Sequence, residues 1–425
     1  MSSPGDPLRL EYGHEINGLT VVRQPSPAGA ASFSVTYVGP AGWGFDPSRE
    51  AGTARVVNQL LSSGAGPYDR MALARRLDRA GATLSTECAP ESGEVTLWGP
   101  AADWKKLLAL FADVVLRPRF APDDLTRVRR QLLERQMREL SQPASRADRE
   151  LFRATYPEAH PYRSSGLGDP RSIARLTPGK LRAFHRSHYT SGGAVLVVTG
   201  PARLSAVERT ARTLFSGFAE VDGPTLRLPS VPSRAARTLT VDLKGRSQVE
   251  IRIGGDSLAR SDPRYPATFL ANEIFGGRAQ LSRLFQRVRE RGGLVYHASS
   301  ELEAMRFGGY WTVGAGTGAD HWEKVVDMLS KELEQIERRE VPASELREVR
   351  ESAIGEMPLA LESTADAHEL AVEVAYHRLP GDYLARWPAL LREVRPREVR
   401  EAAEQAMDRH HAVTVLAGPI TRSPR

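Results

Sequence analysis

The two halves of this 425-residue chain carry similar patterns in the same order. A short apolar run that ends in Gly-Pro occurs at residues 194–201, AVLVVTGP, and again at 412–419, AVTVLAGP. Each run follows a helix-like segment with proline near its first turn, at 178–188 and at 396–409. A pattern repeated at half the chain length predicts a duplicated architecture, in which each half builds its own sheet.

A second correspondence joins the strand pattern at 94–99 to the one at 309–314. An amphipathic helix pattern follows each of them, at 104–116 and at 322–336. Strands interrupted by helices in this order favour an α+β fold. We therefore expect two homologous lobes related by pseudo-twofold symmetry, each a mainly antiparallel sheet with helices packed on one face.

The predicted join between the lobes is rich in proline. Pro224, Pro229 and Pro232 break any regular period, and a connector of this kind acts as a semi-rigid spacer. The predicted organisation is an N-terminal lobe at 1–220, a linker at 221–237 and a C-terminal lobe at 238–425.

Composition excludes several classes of protein. The 58 Lys and Arg residues exceed the 52 Asp and Glu residues by only six, and they are interspersed, so no nucleic-acid module is indicated. Cys88 is the only cysteine, which excludes an internal disulfide and a cysteine-based zinc site. No apolar run is long enough to span a membrane, and no signal peptide is evident at the start. The expected compartment is the cytoplasm by default, or the periplasm if a signal segment has been removed.

One segment has the frame of a zinc-binding helix without its ligands. Residues 52–64 follow the pattern G-x-A-H-x-x-E-H-x-x-x-x-G, but Arg55, Asn58 and Gln59 stand where the two histidines and the glutamate belong. In that motif the histidines hold zinc and the glutamate acts as general base. Arginine has no lone pair to offer a cation, and an amide cannot take a proton from a metal-bound water. This helix is therefore predicted not to bind zinc.

The chain resembles the pitrilysin/insulinase (inverzincin) zinc peptidases, a group that includes mitochondrial processing peptidase and the core proteins of the respiratory bc1 complex. The resemblance covers nearly the full length, including 52–64, 107–120, 194–200 and 275–300. The family has a third metal ligand, a glutamate about 76 residues beyond the second histidine. That spacing reaches Arg135, so all four metal-site positions have changed.

The resemblance is strongest over 275–296, which is similar to the family segment F-G-G-G-x-x-S-R-L-F-x-x-V-R-E-x-x-G-L-x-Y. In active relatives an arginine and, seven residues later, a tyrosine of this segment reach the scissile peptide. Here they correspond to Arg289 and Tyr296, which the resemblance implies as catalytic residues acting in a partner's site. A guanidinium and a phenol can bind a substrate carbonyl and the oxyanion that develops from it. In the family, the loop before this pair lies near the substrate. The resemblance therefore implies three substrate-binding candidates, Gly276, Gly277 and Arg278.

Some bacterial relatives resemble a split enzyme, with the zinc helix on one subunit and the Arg/Tyr pair on another. The resemblance implies that this chain is the second kind, a zinc-free subunit of a heterodimeric metallopeptidase that cleaves peptides. No cofactor is expected on this chain, and zinc is expected in a homologous partner subunit. The alternatives are a catalytically dead structural or peptide-binding homologue, like the respiratory core proteins, and a homodimeric peptide clamp.

Overall fold

The computed structural model describes residues 6–26, 30–47, 49–218, 221–278 and 280–420. Strands and helices are numbered in chain order. The strands are β1 (Glu11–Tyr12), β2 (Thr20–Pro25), β3 (Ser32–Gly39), β4 (Gly64–Ala65), β5 (Tyr68–Asp69), β6 (Thr83–Cys88), β7 (Gly93–Pro100), β8 (Val195–Gly200), β9 (Arg237–Asp242), β10 (Gln248–Ser257), β11 (Val295–Ala304), β12 (Gly309–Gly318) and β13 (Val413–Gly418).

The helices account for most of the remaining chain, and the wider, π-type helical segments Glu273–Gly277 and Leu284–Glu290 lie ahead of β11. None of the described helices is long and apolar enough to cross a membrane. The helices are α1 (Thr53–Leu61), α2 (Arg70–Arg79), α3 (Trp104–Leu116), α4 (Pro122–Ser141), α5 (Pro143–Thr155), α6 (Pro170–Ala174), α7 (Pro178–His188), α8 (Leu204–Leu214), α9 (Tyr265–Asn272), α10 (Trp322–Arg338), α11 (Ala343–Ala360), α12 (Thr364–Tyr376), α13 (Tyr383–Glu393) and α14 (Pro396–Ala406).

The chain forms two compact units, and neither is a single stretch of sequence. The sequence pattern predicts contiguous lobes at 1–220 and 238–425, whereas residues 135–164 belong to the second unit and 357–386 to the first. The physical reason is that α5 packs on strands of the second half, while α12 packs on strands of the first. The first unit comprises 1–134, 165–227 and 357–386; the second comprises 135–164, 228–356 and 387–425.

The first unit is built on a six-stranded sheet in the order β1-β2-β8-β3-β7-β6. Strands β2 and β8 are parallel, and the other neighbours are antiparallel. On one face, Phe33, Val35 and Leu97 pack in the main core with helices that include α1, α3 and α7. On the opposite face, Val38 and Val197 pack against α12.

The second unit repeats this plan. Its five-stranded sheet has the order β11-β12-β10-β13-β9, in which only β9 and β13 are parallel. Ile251, Trp311 and Val313 are buried in the main core on one face. Ala147 and Leu151 of α5 pack on the other face against strands β9 and β13. Read from the edge strands β6 and β11, the two sheets have the same order of equivalent strands.

The α+β class and the duplicated sheets that the sequence predicts are confirmed. The expectation that helices cover only one face needs correction. Each sheet carries one helix on its second face as well, because α5 and α12 present small or apolar side chains to it. The glycine-rich run 314–318 lies inside β12, where each of its residues pairs with β10.

Candidate functional site

A partly buried carboxylate holds the start of helix α1, which carries the altered zinc motif. Asp46 accepts hydrogen bonds from the backbone N–H of Gly52 at 2.6 Å and of Ala54 at 2.7 Å. These bonds satisfy amide groups that the first turn of a helix leaves without partners. Burial raises the pKa of Asp46 to about 7, although the two hydrogen bonds and nearby Arg55 oppose the rise. This carboxyl group therefore serves the helix terminus.

Two of the three residues at the motif positions, Arg55 and Asn58, make side-chain contacts inside the first unit. The guanidinium of Arg55 lies over the Trp43 ring, 4.8 Å from its centroid, and donates to the Ser165 carbonyl at 2.9 Å. Asn58 is 1% exposed. Its Nδ2 donates to the Glu94 carbonyl at 2.9 Å and to the Tyr189 hydroxyl at 3.2 Å. The side chain in the place of the general base is therefore a structural hydrogen-bond donor.

The other two altered positions, Gln59 and Arg135, offer neither a carboxylate nor an imidazole to a metal. Gln59 is partly exposed on α1. Arg135 lies on α4 and pairs with Glu139 one turn along, with 3.0 Å between Nε and Oε1. Among the described residues, no group of three or more His, Cys, Asp or Glu side chains is arranged to hold a metal ion. The donor set at the four motif positions, two guanidiniums and two amides, does not fit zinc.

Asn58 contacts the backbone of Glu94, an ionisable residue of β7 that sequence reasoning missed. The Glu94 side chain accepts from the Thr96 hydroxyl at 3.1 Å. Burial raises the pKa of Glu94 to about 7; the Thr96 bond opposes the rise, and the negative charges of Glu87 and Glu369 add to it. No motif could have identified it, because strand β7 is brought beside α1 only by the fold.

Arg289 and Tyr296 both lie in the second unit and both are exposed. Arg289 is near the end of the helical segment Leu284–Glu290, and its guanidinium lies 4.9 Å from the centroid of the Phe285 ring. Tyr296 follows on β11, an edge strand of the sheet, and 59% of it is exposed. The segment that carries Arg289 packs against β11. Neither side chain is buried in the core of its unit, so both are accessible to another molecule.

The two glycines ahead of this pair, expected in a loop, end the helical segment Glu273–Gly277 instead. A Cβ on Gly276 would lie 2.7 Å from the backbone nitrogen of Ser300, so glycine is required there by close approach rather than by a positive φ. Gly277 is exposed. Arg278 is held by ion pairs with Glu273 and Glu356, and only 11% of its side chain is exposed. A substrate-binding role for Gly276, Gly277 and Arg278 stays a prediction.

Two family models match the chain, "Insulinase (Peptidase family M16)" over residues 21–165 and "Peptidase M16 inactive domain" over 175–353, and together they cover more than half of it. The chain belongs to the peptidase M16 family.

Curated relatives agree with this membership, and a solved structure has the same fold. The chain is 26% identical over 408 residues to an uncharacterized zinc protease of Mycobacterium leprae, with 95% of this chain and 90% of the relative covered. It is 23% identical over 350 residues to an uncharacterized zinc protease of Bacillus subtilis, covering 82% and 83%. The crystal structure of a peptidase M16 inactive domain from Pseudomonas fluorescens has the same fold, with a TM-score of 0.91, 24% identity and coverage of 98% of this chain and 99% of that one.

Proposed function

We propose that this chain is the zinc-free subunit of a heterodimeric zinc peptidase. It would contribute Arg289 and Tyr296 to an active site whose metal, histidine ligands and general base belong to a homologous partner. The single observation that carries the proposal is the contrast between the two sites. Arg55 and Asn58, at two of the metal positions, make internal structural contacts, whereas Arg289 and Tyr296 stay exposed.

The chemistry that each residue would supply follows from its functional group. The zinc of the partner would polarise the scissile carbonyl and activate a water molecule. The Arg289 guanidinium presents a planar set of donors that suits a carbonyl or carboxylate oxygen. The Tyr296 hydroxyl can donate to the oxyanion that forms when the carbonyl is attacked. Both act by stabilising charge, so neither residue needs to change its protonation state.

The edge position of β11 supports a peptide as the substrate. Within the described part of the chain, no strand pairs with the outer edge of β11. An extended peptide can add to such an edge by main-chain hydrogen bonds. A peptide bound there would run along the strand that carries Tyr296.

The test begins with recovery of the partner. The tagged chain is purified from its native host, and a copurifying sibling with an intact H-x-x-E-H motif is sought. The isolated chain should show no peptidase activity, and the reconstituted pair should be active. Arg289→Ala or Tyr296→Phe should lower turnover of the pair by about 100-fold, the scale of losing one oxyanion donor.

Matched controls separate a catalytic effect from general damage. Arg291→Ala removes an exposed guanidinium two residues from Arg289, and Tyr68→Phe removes a phenolic hydroxyl in the first unit. Both should leave turnover within about twofold, because Arg291 is exposed and Tyr68→Phe keeps the aromatic ring of a half-buried residue. Normal turnover in both the Arg289→Ala and Tyr296→Phe pairs would reject the proposal and favour a structural or peptide-binding homologue.

A further inference from the structure

Strand β11 begins with an irregularity at the residue proposed to act in catalysis. Val295 pairs with Thr317 and His297 pairs with Gly316, so Tyr296 is an extra residue with no partner on β12. Val295 is buried in the core of the unit, and Ala298 packs against the same core three positions later. Regular strand alternation puts residues two apart on one face, so a three-residue interval requires a bulge. The bulge takes Tyr296 out of the alternation and leaves its side chain exposed.

The residue after the bulge is tied to the middle of the sheet. His297 Nε2 lies 3.5 Å from Oε2 of Glu250 on β10, two strands away. Glu250 is 8% exposed and also accepts from Arg252 Nη1 at 3.0 Å. Arg252 Nε in turn donates to Asp148 Oδ1 of α5 at 2.6 Å. A chain of polar contacts therefore connects the bulge to β10 and then to α5.

The intervening strand leaves room for this contact. Gly316 of β12 lies opposite His297, and a Cβ there would lie 2.6 Å from His297 Cε1 and 3.0 Å from Glu250 Oε1. Gly316 is not among the glycines with positive φ, so its backbone does not require glycine. The missing side chain is what allows the imidazole to reach across β12.

The charge on Glu250 suits the contact. Burial alone would raise the pKa of Glu250, but the contacts with His297 and Arg252 outweigh burial and hold the pKa below its usual value. A carboxylate held in the ionised state by Arg252 is a fixed acceptor for the imidazole N–H. Glu250 and Arg252 are thus fixed on the central strand β10, while His297 lies on the edge strand β11.

We propose that His297 is a positioning residue: its contact with Glu250 across Gly316 fixes the bulge and so holds Tyr296 at the edge of the sheet. That the position of Tyr296 affects turnover rests on the function proposed above. A strand that slips by one residue turns its side chains to the opposite face. Without the contact, β11 can exchange between registers in which the phenol is presented differently.

The first arm of the test uses the isolated chain and does not depend on activity. His297→Ala and Gly316→Ala, which forces the imidazole away, should speed amide hydrogen exchange over Val295 to Ser299 by about 10-fold relative to the native chain. His410→Ala, an exposed histidine elsewhere in the second unit, is the matched control and should leave this segment unchanged. Unchanged exchange in both His297→Ala and Gly316→Ala overturns the proposal.

The second arm uses the reconstituted pair in a double-mutant cycle. In the native background, His297→Ala should lower kcat by about 10-fold and leave KM within about twofold. In the Tyr296→Phe background, the same change should lower kcat by less than about twofold. His297→Gln, whose amide can still donate to Glu250, should restore most of the loss. Equal losses in both backgrounds would mean that His297 does not act through Tyr296, and would overturn the proposal. If Tyr296→Phe alone leaves turnover normal, the proposed function fails, and hydrogen exchange still decides whether His297 fixes the bulge.

Discussion

Asn58 shows what a side chain does at a motif position that no longer serves a metal. It is almost fully buried and donates to the Glu94 carbonyl and the Tyr189 hydroxyl. Asn58→Ala should lower the free energy of unfolding by about 1–3 kcal/mol, because it removes two hydrogen bonds donated by a buried side chain. Urea denaturation measures the change. Gln59→Ala, on the partly exposed neighbour, is the control and should cost under about 0.5 kcal/mol; equal costs would contradict the structural role of Asn58.

Glu94 should make stability depend on pH. Its folded pKa of about 7 lies above the ordinary value of 4.5. Between these values the native chain holds a proton that the unfolded chain has released, so stability falls as pH rises through this window. Glu94→Gln cannot ionise and should be more stable than the native chain above pH 7 by about 1–3 kcal/mol, with no such gain below pH 4.5. Thermal unfolding across this range measures the difference.

The control for this prediction is Glu15→Gln, which changes an exposed carboxylate in the same unit. Its stability should follow the native chain at every pH. A Glu94→Gln variant that also follows the native chain would show that the carboxyl group is not held protonated by the fold.

For single residues, the sequence predicts which functional groups are present better than it predicts what surrounds them in the fold. The loss of metal ligands at Arg55, Asn58 and Gln59 can be predicted from the residue types alone, because a guanidinium or an amide cannot replace a histidine or a carboxylate there. The inward direction of Asn58 could not be predicted. Its acceptors belong to β7 and to Tyr189, which are distant in sequence and reach α1 only through tertiary packing.

At the scale of elements, the duplication extends further than the sequence repeats indicate. The two Gly-Pro-terminated runs correspond to β8 and β13, which occupy equivalent places in sheets of the same strand order. The helices on the second faces, α5 and α12, also make comparable contacts. Asp148 of α5 bonds Arg252 at the centre of one sheet, and His368 of α12 contacts the Thr36 hydroxyl at 2.8 Å in the other. Sequence periodicity predicts such helices but not the sheet on which each one packs.

The packing of α5 on its sheet should contribute measurably to stability. Leu151 is 1% exposed and packs with Val413, Val415 and Ala417. Leu151→Ala should destabilise the chain by about 2–4 kcal/mol, because the sheet cannot fully close the cavity. Leu140→Ala, at a position 37% exposed, is the control and should cost under about 1 kcal/mol. Calorimetry compares the two, and similar losses would argue that α5 is not a specific part of this core.

At the scale of the whole molecule, membership of a zinc peptidase family and the absence of fitting ligands lead to opposite expectations about metal content. Relatives at 26% identity are described as zinc proteases, yet the four motif positions here hold Arg55, Asn58, Gln59 and Arg135. Two of these are permanently cationic, so they repel a divalent metal rather than bind it. Family membership therefore predicts the fold of this chain, while the residues themselves decide its chemistry.

The isolated chain should accordingly contain far less than one zinc per molecule and have no peptidase activity. Metal quantification on protein purified without chelators, before and after addition of one equivalent of zinc and desalting, checks the first part. A zinc-bearing sibling with an intact H-x-x-E-H motif, treated identically, is the positive control and should retain about one equivalent, since structural and catalytic zinc sites bind tightly. One firmly bound zinc on this chain would mean that other side chains hold the metal. The proposed division of labour between this chain and a zinc-bearing partner would then have to be abandoned, because the metal would lie on the chain that carries Arg289 and Tyr296.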